Sequence, residues 1–193
     1  MALAGGIIAM FAVMAVVGAY MILRPTGTLT MQIGAKNAAA LATAVGADGI
    51  AEEQDGVFAK VTLTFNEARL KDASTGQWTT ITIQNGHFDI IALADQNGNT
   101  IHAEVLVQAT VPQGTYDEIV LVINGVEVYV KVGSLEVKAS IQVNNRELHL
   151  QGPITVDANG VIVLIVVDIT RSFSPAGAGY GFSPVGDLSV VGT

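Results

Sequence analysis

There is no cysteine in this sequence, and charge is scarce: Asp, Glu, Lys and Arg make up 13% of its 193 residues. The missing cysteine removes disulfides, thiolate nucleophiles and cysteine metal sites together. Lys and Arg number 9 against 17 Asp and Glu, a net charge of −8. No basic patch is available to neutralise phosphates, so nucleic acid is set aside as a partner. No Asn-x-Ser/Thr acceptor occurs either, and N-glycosylation by the usual rule is not expected. Half of the residues are hydrophobic, which is enough for a sizeable core without covalent staples.

The longest gap in charge comes first. Met1 to Leu23 holds none, and Arg24-Pro25 closes it. A helix of this length would span roughly 35 Å, sufficient to cross a bilayer's hydrocarbon. Pro25 disfavours the α conformation at Arg24, so the helix is expected to stop there. A secretory signal, a membrane anchor and a hydrophobic assembly helix all fit the composition. The signal lacks its basic n-region, although Val17-Gly18-Ala19 would serve as a cleavage site. At 100° per residue Ala2, Gly5, Ala9, Ala12 and Ala19 fall on one side of such a helix, and Leu3, Ile7, Met10, Met14, Val17 and Met21 on another. Small residues let a second backbone approach closely. With Phe11, these positions form the expected assembly interface.

An uncharged apolar helix at the very start, broken near residue 24 and followed by a β-rich domain, resembles a mature type IV pilin-superfamily subunit, above all the archaeal pilins and archaellins. Gly5 stands where bacterial members usually carry Glu. The resemblance implies that a basic leader is removed by a prepilin peptidase and that the apolar helices bundle as a filament core.

The remaining residues, 26–193, read as one domain. Gly27 to Ile33 alternates as a first strand, and Lys36 to Gly56 reads as an Ala-rich, then acidic loop. From Val57 the alternation is strong: Val57, Ala59, Val61, Leu63 and Phe65 share one face, Lys60, Thr62, Thr64 and Asn66 the other. Ser74-Thr75-Gly76, Asn85-Gly86, Asn124-Gly125 and Asn159-Gly160 read as turns, the Asn-Gly pairs as hairpin turns. Val161 to Val167 is apolar on both faces and reads as a central or covered strand. The tail from Ser172 repeats Phe-Ser-Pro around Gly177, Gly179 and Gly181 and reads as a loose surface loop with an edge strand at Leu188 to Val191. The expected fold is mainly β with one long N-terminal α-helix: a hydrophobic helix over 1–25, then an antiparallel Ig-like β-sandwich with a Gly/Pro-rich tail over 26–193.

The run Val61 to Leu70, then Gln77-Trp78, Phe88 to Leu93, Val111 to Tyr116 and Val167 to Thr170 is similar to a family of extracellular domains of unassigned function, found in bacterial lipoproteins and archaeal surface proteins. The likeness spans about residues 57–172. It implies a secreted sandwich and no catalytic residues.

Chemistry is sparse. His87, His102 and His149 share no ligand spacing. Asp95, Asn97 and Asn99 lack the glycine position and distal Glu of a calcium loop, as Glu104 comes too early. Gly177 to Gly181 has no βα unit around it, and no G-x-S-x-G elbow occurs. Asp89 and Asp168, in otherwise apolar strands, are expected to bond to backbone or a basic side chain. The expectation is a non-enzymatic, cofactor-free subunit of an extracellular homopolymeric filament for adhesion or motility, membrane-inserted before assembly, with itself as partner and no small-molecule substrate. The alternative is a single-span, membrane-anchored surface binding module.

Overall fold

The computed structural model describes residues 24–37, 58–94, 102–176 and 179–192. Strands take up 76% of these. They are β1 (Thr26–Lys36), β2 (Phe58–Asp72), β3 (Trp78–Asp89), β4 (Glu104–Pro112), β5 (Gly114–Val132), β6 (Leu135–Lys138), β7 (Ile141–Val143), β8 (Glu147–Val156), β9 (Val161–Asp168), β10 (Phe173–Ala176), β11 (Gly179–Phe182) and β12 (Gly186–Gly192), with a single helical turn α1 (Ile169–Ser172) after β9.

The expectation of one long N-terminal helix is corrected. Among the described residues α1 is the only helix, and no helix is long and apolar enough to cross a membrane. Residues 1–23, on which the sequence analysis places both that helix and the assembly interface from Ala2 to Met21, lie outside the described residues. A run that is apolar on every side reports hydrophobicity but carries no 3.6-residue period.

Two sheets face each other. One has the order β12-β9-β1-β4; the other has β3-β2-β5, with β8 and β6 sharing the far side of β5. Alternation places Leu29, Met31 and Ile33 of β1 and Val163, Ile165 and Val167 of β9 against Leu63, Phe65 and Leu70 of β2 and Ile119, Leu121 and Ile123 of β5, in one buried cluster. The sandwich is not antiparallel throughout. β1 and β9 pair in parallel from Leu29↔Val161 to Lys36↔Asp168, and β7 and β11 are also parallel. Parallel neighbours need a long crossover, and the chain between β1 and β9 supplies it. β9, flanked by β12 and β1, is the central strand that its apolar run implies.

The Asn-Gly pairs behave differently from expectation. Asn124-Gly125 lies inside β5, where Thr64↔Gly125 and Phe65↔Ile123 leave Asn124 as the extra residue of a bulge. Asn85-Gly86 lies inside β3, beside the same point of β2, with Phe65↔Gly86 and Glu67↔Thr82 as partners. A type I′ turn requires positive φ at both central residues, and neither Gly125 nor Gly86 has it. β2, with 15 residues, runs past both sites and holds each neighbour in one continuous ladder. Three strands therefore kink together at Phe65. The hairpin turn of this region is Gly133 and Ser134, with Gly133 at φ 61°. Asn159-Gly160 does form a turn, but it joins β8 in one sheet to β9 in the other. The Ser74-Thr75-Gly76 turn stands between β2 and β3 as read.

The tail is packed, not loose. Phe173 and Phe182 are buried, and with Phe58 and Tyr180 they make edge and tilted ring contacts at 4.9 to 5.4 Å. β12 is an edge strand, paired with the chain's own β9.

A Cβ on Gly86 would lie 2.1 Å from the Phe65 carbonyl oxygen, whereas on Gly125 it would first meet the Thr64 hydroxyl at 3.3 Å. Gly86→Ala is expected to destabilise the sandwich by about 1–3 kcal/mol and Gly125→Ala by less. Urea unfolding of the two variants, followed by tryptophan fluorescence from Trp78, checks the order.

Candidate functional site

Two constellations stand out. The first is at the base of the sandwich, where the chain enters from the apolar stretch. Arg24 forms an ion pair with Asp72, both side chains being largely buried, and its second terminal nitrogen lies 3.3 Å from Ser74 Oγ. Asp72 ends β2, and its other oxygen accepts from the Ser74 and Thr75 N–H groups at 2.9 Å and from Ser74 Oγ at 2.6 Å. The turn between β4 and β5 grips the next residues. Gln113 donates its backbone N–H to Pro25 O at 2.7 Å and Nε2–H to Thr26 O at 3.0 Å. Tyr116 donates its hydroxyl to Pro112 O at 2.7 Å, four residues upstream, the tyrosine-corner bond of β-sandwiches.

Burial alone would raise the Asp72 pKa. The bonds from Ser74 Oγ, the Thr75 amide, Arg24 and the Ser74 amide outweigh it and hold the carboxyl well below the usual carboxylate range. Burial also pushes the Tyr116 phenol up, helped by the Asp72 charge.

The second constellation lies on the outer face of the larger sheet. Cross-strand register lays out three rows: Trp78, Lys71, Glu118, Gln151; then Thr80, Arg69, Val120, His149; then Thr82, Glu67, Val122, Glu147. Six of these side chains form one chain in which acidic and basic residues alternate. Glu67 Oε1 lies 3.1 Å from Arg69 Nε, and Arg69 Nη2 lies 2.5 Å from Glu147 Oε1. His149 Nε2 is 3.3 Å from Glu147 Oε2 and its Nδ1 is 2.8 Å from Glu118 Oε1. Lys71 Nζ closes the chain 4.0 Å from Glu118 Oε2. Arg69 holds the Glu147 carboxyl below its ordinary value. Both His149 nitrogens face carboxylates, and both can donate only from the protonated ring. Exposed ion pairs of this kind contribute about 0–1 kcal/mol each. Their structural service is to cover Val120, buried in the middle row.

The residues singled out by sequence disperse. His87 Nδ1 lies 3.0 Å from Thr64 Oγ1, and His102 is exposed at the start of the described chain before β4. Asp89 Oδ1 accepts from the backbone of Val61 and Ile91. Asp168 caps α1 by accepting from Arg171 N–H at 3.1 Å and faces Asn37 and Lys36. Both aspartates thus bond as expected. Asp95, Asn97, Asn99 and Gly177 lie outside the described residues, while Gly179 and Gly181 belong to β11. Sequence reading missed the charged rows. Opposite charges at 67, 69 and 71 and polar residues at 147, 149 and 151 carry the period-2 signal, but only register joins them.

Asp72→Ala breaks a buried ion pair and removes the acceptor that organises its own turn, so it is expected to cost about 3–5 kcal/mol. A depressed carboxyl stabilises the fold above the ordinary Asp value and loses that contribution as pH falls through the folded-state value. Wild-type stability should therefore drop more steeply than that of Asp72→Asn between about pH 4 and pH 2, as read from urea midpoints.

No curated protein and no solved structure matches this chain. The family described as a domain of unknown function (DUF4382) matches residues 50–184, from the approach to β2 through β11. That match covers both the tyrosine corner and the charged rows, and the chain belongs to this family.

Proposed function

We propose that this protein is a structural subunit of an extracellular homopolymer, a pilin-like filament, in which Met1–Leu23 gathers copies in an apolar environment and the sandwich is displayed outside. The observation that carries this reading is the hydrogen-bonded entry into the domain. Arg24, the first charged residue after 23 uncharged ones, is bound by Asp72 and Ser74, and the next two residues are bound by Gln113. A polymer must repeat its heads at one orientation, so a fixed junction suits it. A tethered binding module gains nothing from such a clamp. Removing the apolar surface from water favours assembly, at about 25 cal/mol per Å² buried, before the cost of ordering.

The charged face favours a second reading, a membrane-anchored surface module that binds a partner across the rows from Trp78 to Glu147. The role is structural or adhesive in either case, outside the cell and without a cofactor.

Electron microscopy of the sheared cell-surface fraction, with mass spectrometry of its protein, separates the two. Filaments composed of this chain are expected. A carboxylate placed in an apolar interior costs several kcal/mol, so Ala12→Asp should abolish them while leaving the β-type circular dichroism intact. A sheared fraction without filaments, with the chain found only in membranes, would sink the leading reading in favour of the second.

A further inference from the structure

The far end of β5 carries a feature that neither constellation uses. β5 and β6 form a hairpin around Gly133 and Ser134, with Val130↔Val137 and Val132↔Leu135 as partners. These four side chains share one face, and Val132, Leu135 and Val137 are 42%, 67% and 46% exposed. Tyr129, Lys131, Glu136 and Lys138 share the other face. Among the described residues nothing pairs with the outer edge of β6. The tip sits at the opposite end of β5 from Gly114, beside which Arg24 is clamped.

Which backbone groups point to that free edge follows from the ladder. The Ala139 N–H donates to Val128 O at 2.8 Å, so Val128/Ala139 is a hydrogen-bonded pair. Such pairs alternate in an antiparallel ladder, which makes Val130/Val137 and Val132/Leu135 hydrogen-bonded as well. The N–H and C=O groups of Glu136 and Lys138 therefore face outward, unpaired by β5.

We infer that β6 pairs with β6 of a second copy across a twofold axis through Val137. In that register Glu136 and the second copy's Lys138 form a hydrogen-bonded pair, as do Lys138 and the second copy's Glu136. Four backbone bonds and two opposite-charge pairs result. Each Glu136 then lies between its own Lys131 and the other copy's Lys138. On the opposite face Val130 and Val137 continue into Val137 and Val130 of the second copy as one apolar row. The two neighbouring registers with the same face alignment put Glu136 directly against Glu136 or Lys138 directly against Lys138, which like-charge repulsion disfavours. The exposed Lys138 also holds Glu127 at 2.6 Å, and its remaining donors reach the new partner. A twofold contact closes on itself, so it joins copies in pairs and does not by itself make a filament. It stands on the hairpin alone, whether the chain polymerises or is anchored singly.

The absence of cysteine makes the test clean. Val137→Cys places two thiols in a non-hydrogen-bonded pair with Cα atoms about 4.5 Å apart, within the range that a disulfide spans. Leu135→Cys is more exposed, but its counterpart lies four residues out of step, about 13 Å away. The full chain in mild detergent, oxidised and run on a non-reducing gel, should give covalent dimer for Val137→Cys and several-fold less for Leu135→Cys. Adding Glu136→Lys to Val137→Cys should lower the yield several-fold, and adding Lys138→Glu as well should restore it. No dimer from Val137→Cys, equal dimer from Leu135→Cys, insensitivity to the charge swap, or capture of another protein in place of a second copy would each overturn the proposal.

Discussion

The pairing of β2 with β5 is the constraint on which most of this molecule depends. Both strands exceed the ordinary strand length of about 5–6 residues, and they stay paired from Phe58↔Val130 to Asp72↔Tyr116. A ladder this long must bend to wrap a core; its register shifts near both ends and at Phe65, where irregularities in β3 and β5 flank β2 on both sides. Beyond the bend β5 exchanges its outer partner, from β8 to β6. One strand pair thus supplies the inner wall of the core, the middle columns of the charged face and the projecting hairpin.

The second sheet fixes the ends. Parallel pairing of β1 with β9 brings Lys36 beside Asp168, where Asp187 of β12 also reaches. At the other end of β1 the chain is seized by the turns that follow β2 and β4. Asp72 does two jobs there, since one oxygen organises its own turn and the other holds Arg24. The turn and the entry of the chain are therefore coupled through a single carboxylate. A buried charge is tolerated at that point because both of its oxygens are hydrogen-bonded, one by Arg24 and the other by its own turn.

Much of the β character was legible from residue order. Alternation from Val57 to Asn66 pointed to the strand that is β2, the apolar run Val161 to Val167 identified a central strand, and Asp89 and Asp168 bond as their setting implied. The errors have specific physical sources. Asn-Gly signals local backbone freedom, and a bulge uses that freedom as readily as a hairpin does; the choice belonged to the neighbouring strand. Phe173, Tyr180 and Phe182 sat among glycines and prolines and read as a loop, because Phe58, which Phe173 and Tyr180 pack against, is more than a hundred residues away. The charged rows were invisible for the same reason: Arg69 and Glu147 meet only through the register of β2, β5 and β8.

What the sequence determined by itself is what depends on a residue and its near neighbours: the strand periods, the polar and apolar faces, the turn at Ser74 to Gly76, the excess of negative charge and the uncharged stretch before Arg24. The tertiary structure alone decided which strands are neighbours, in which direction β1 and β9 run, where the long sheet bends, and which charges touch. The physical reason is that a strand, unlike a helix, satisfies none of its backbone hydrogen bonds internally. Its partner, register and sense are set by packing across the whole chain, and no local pattern encodes them.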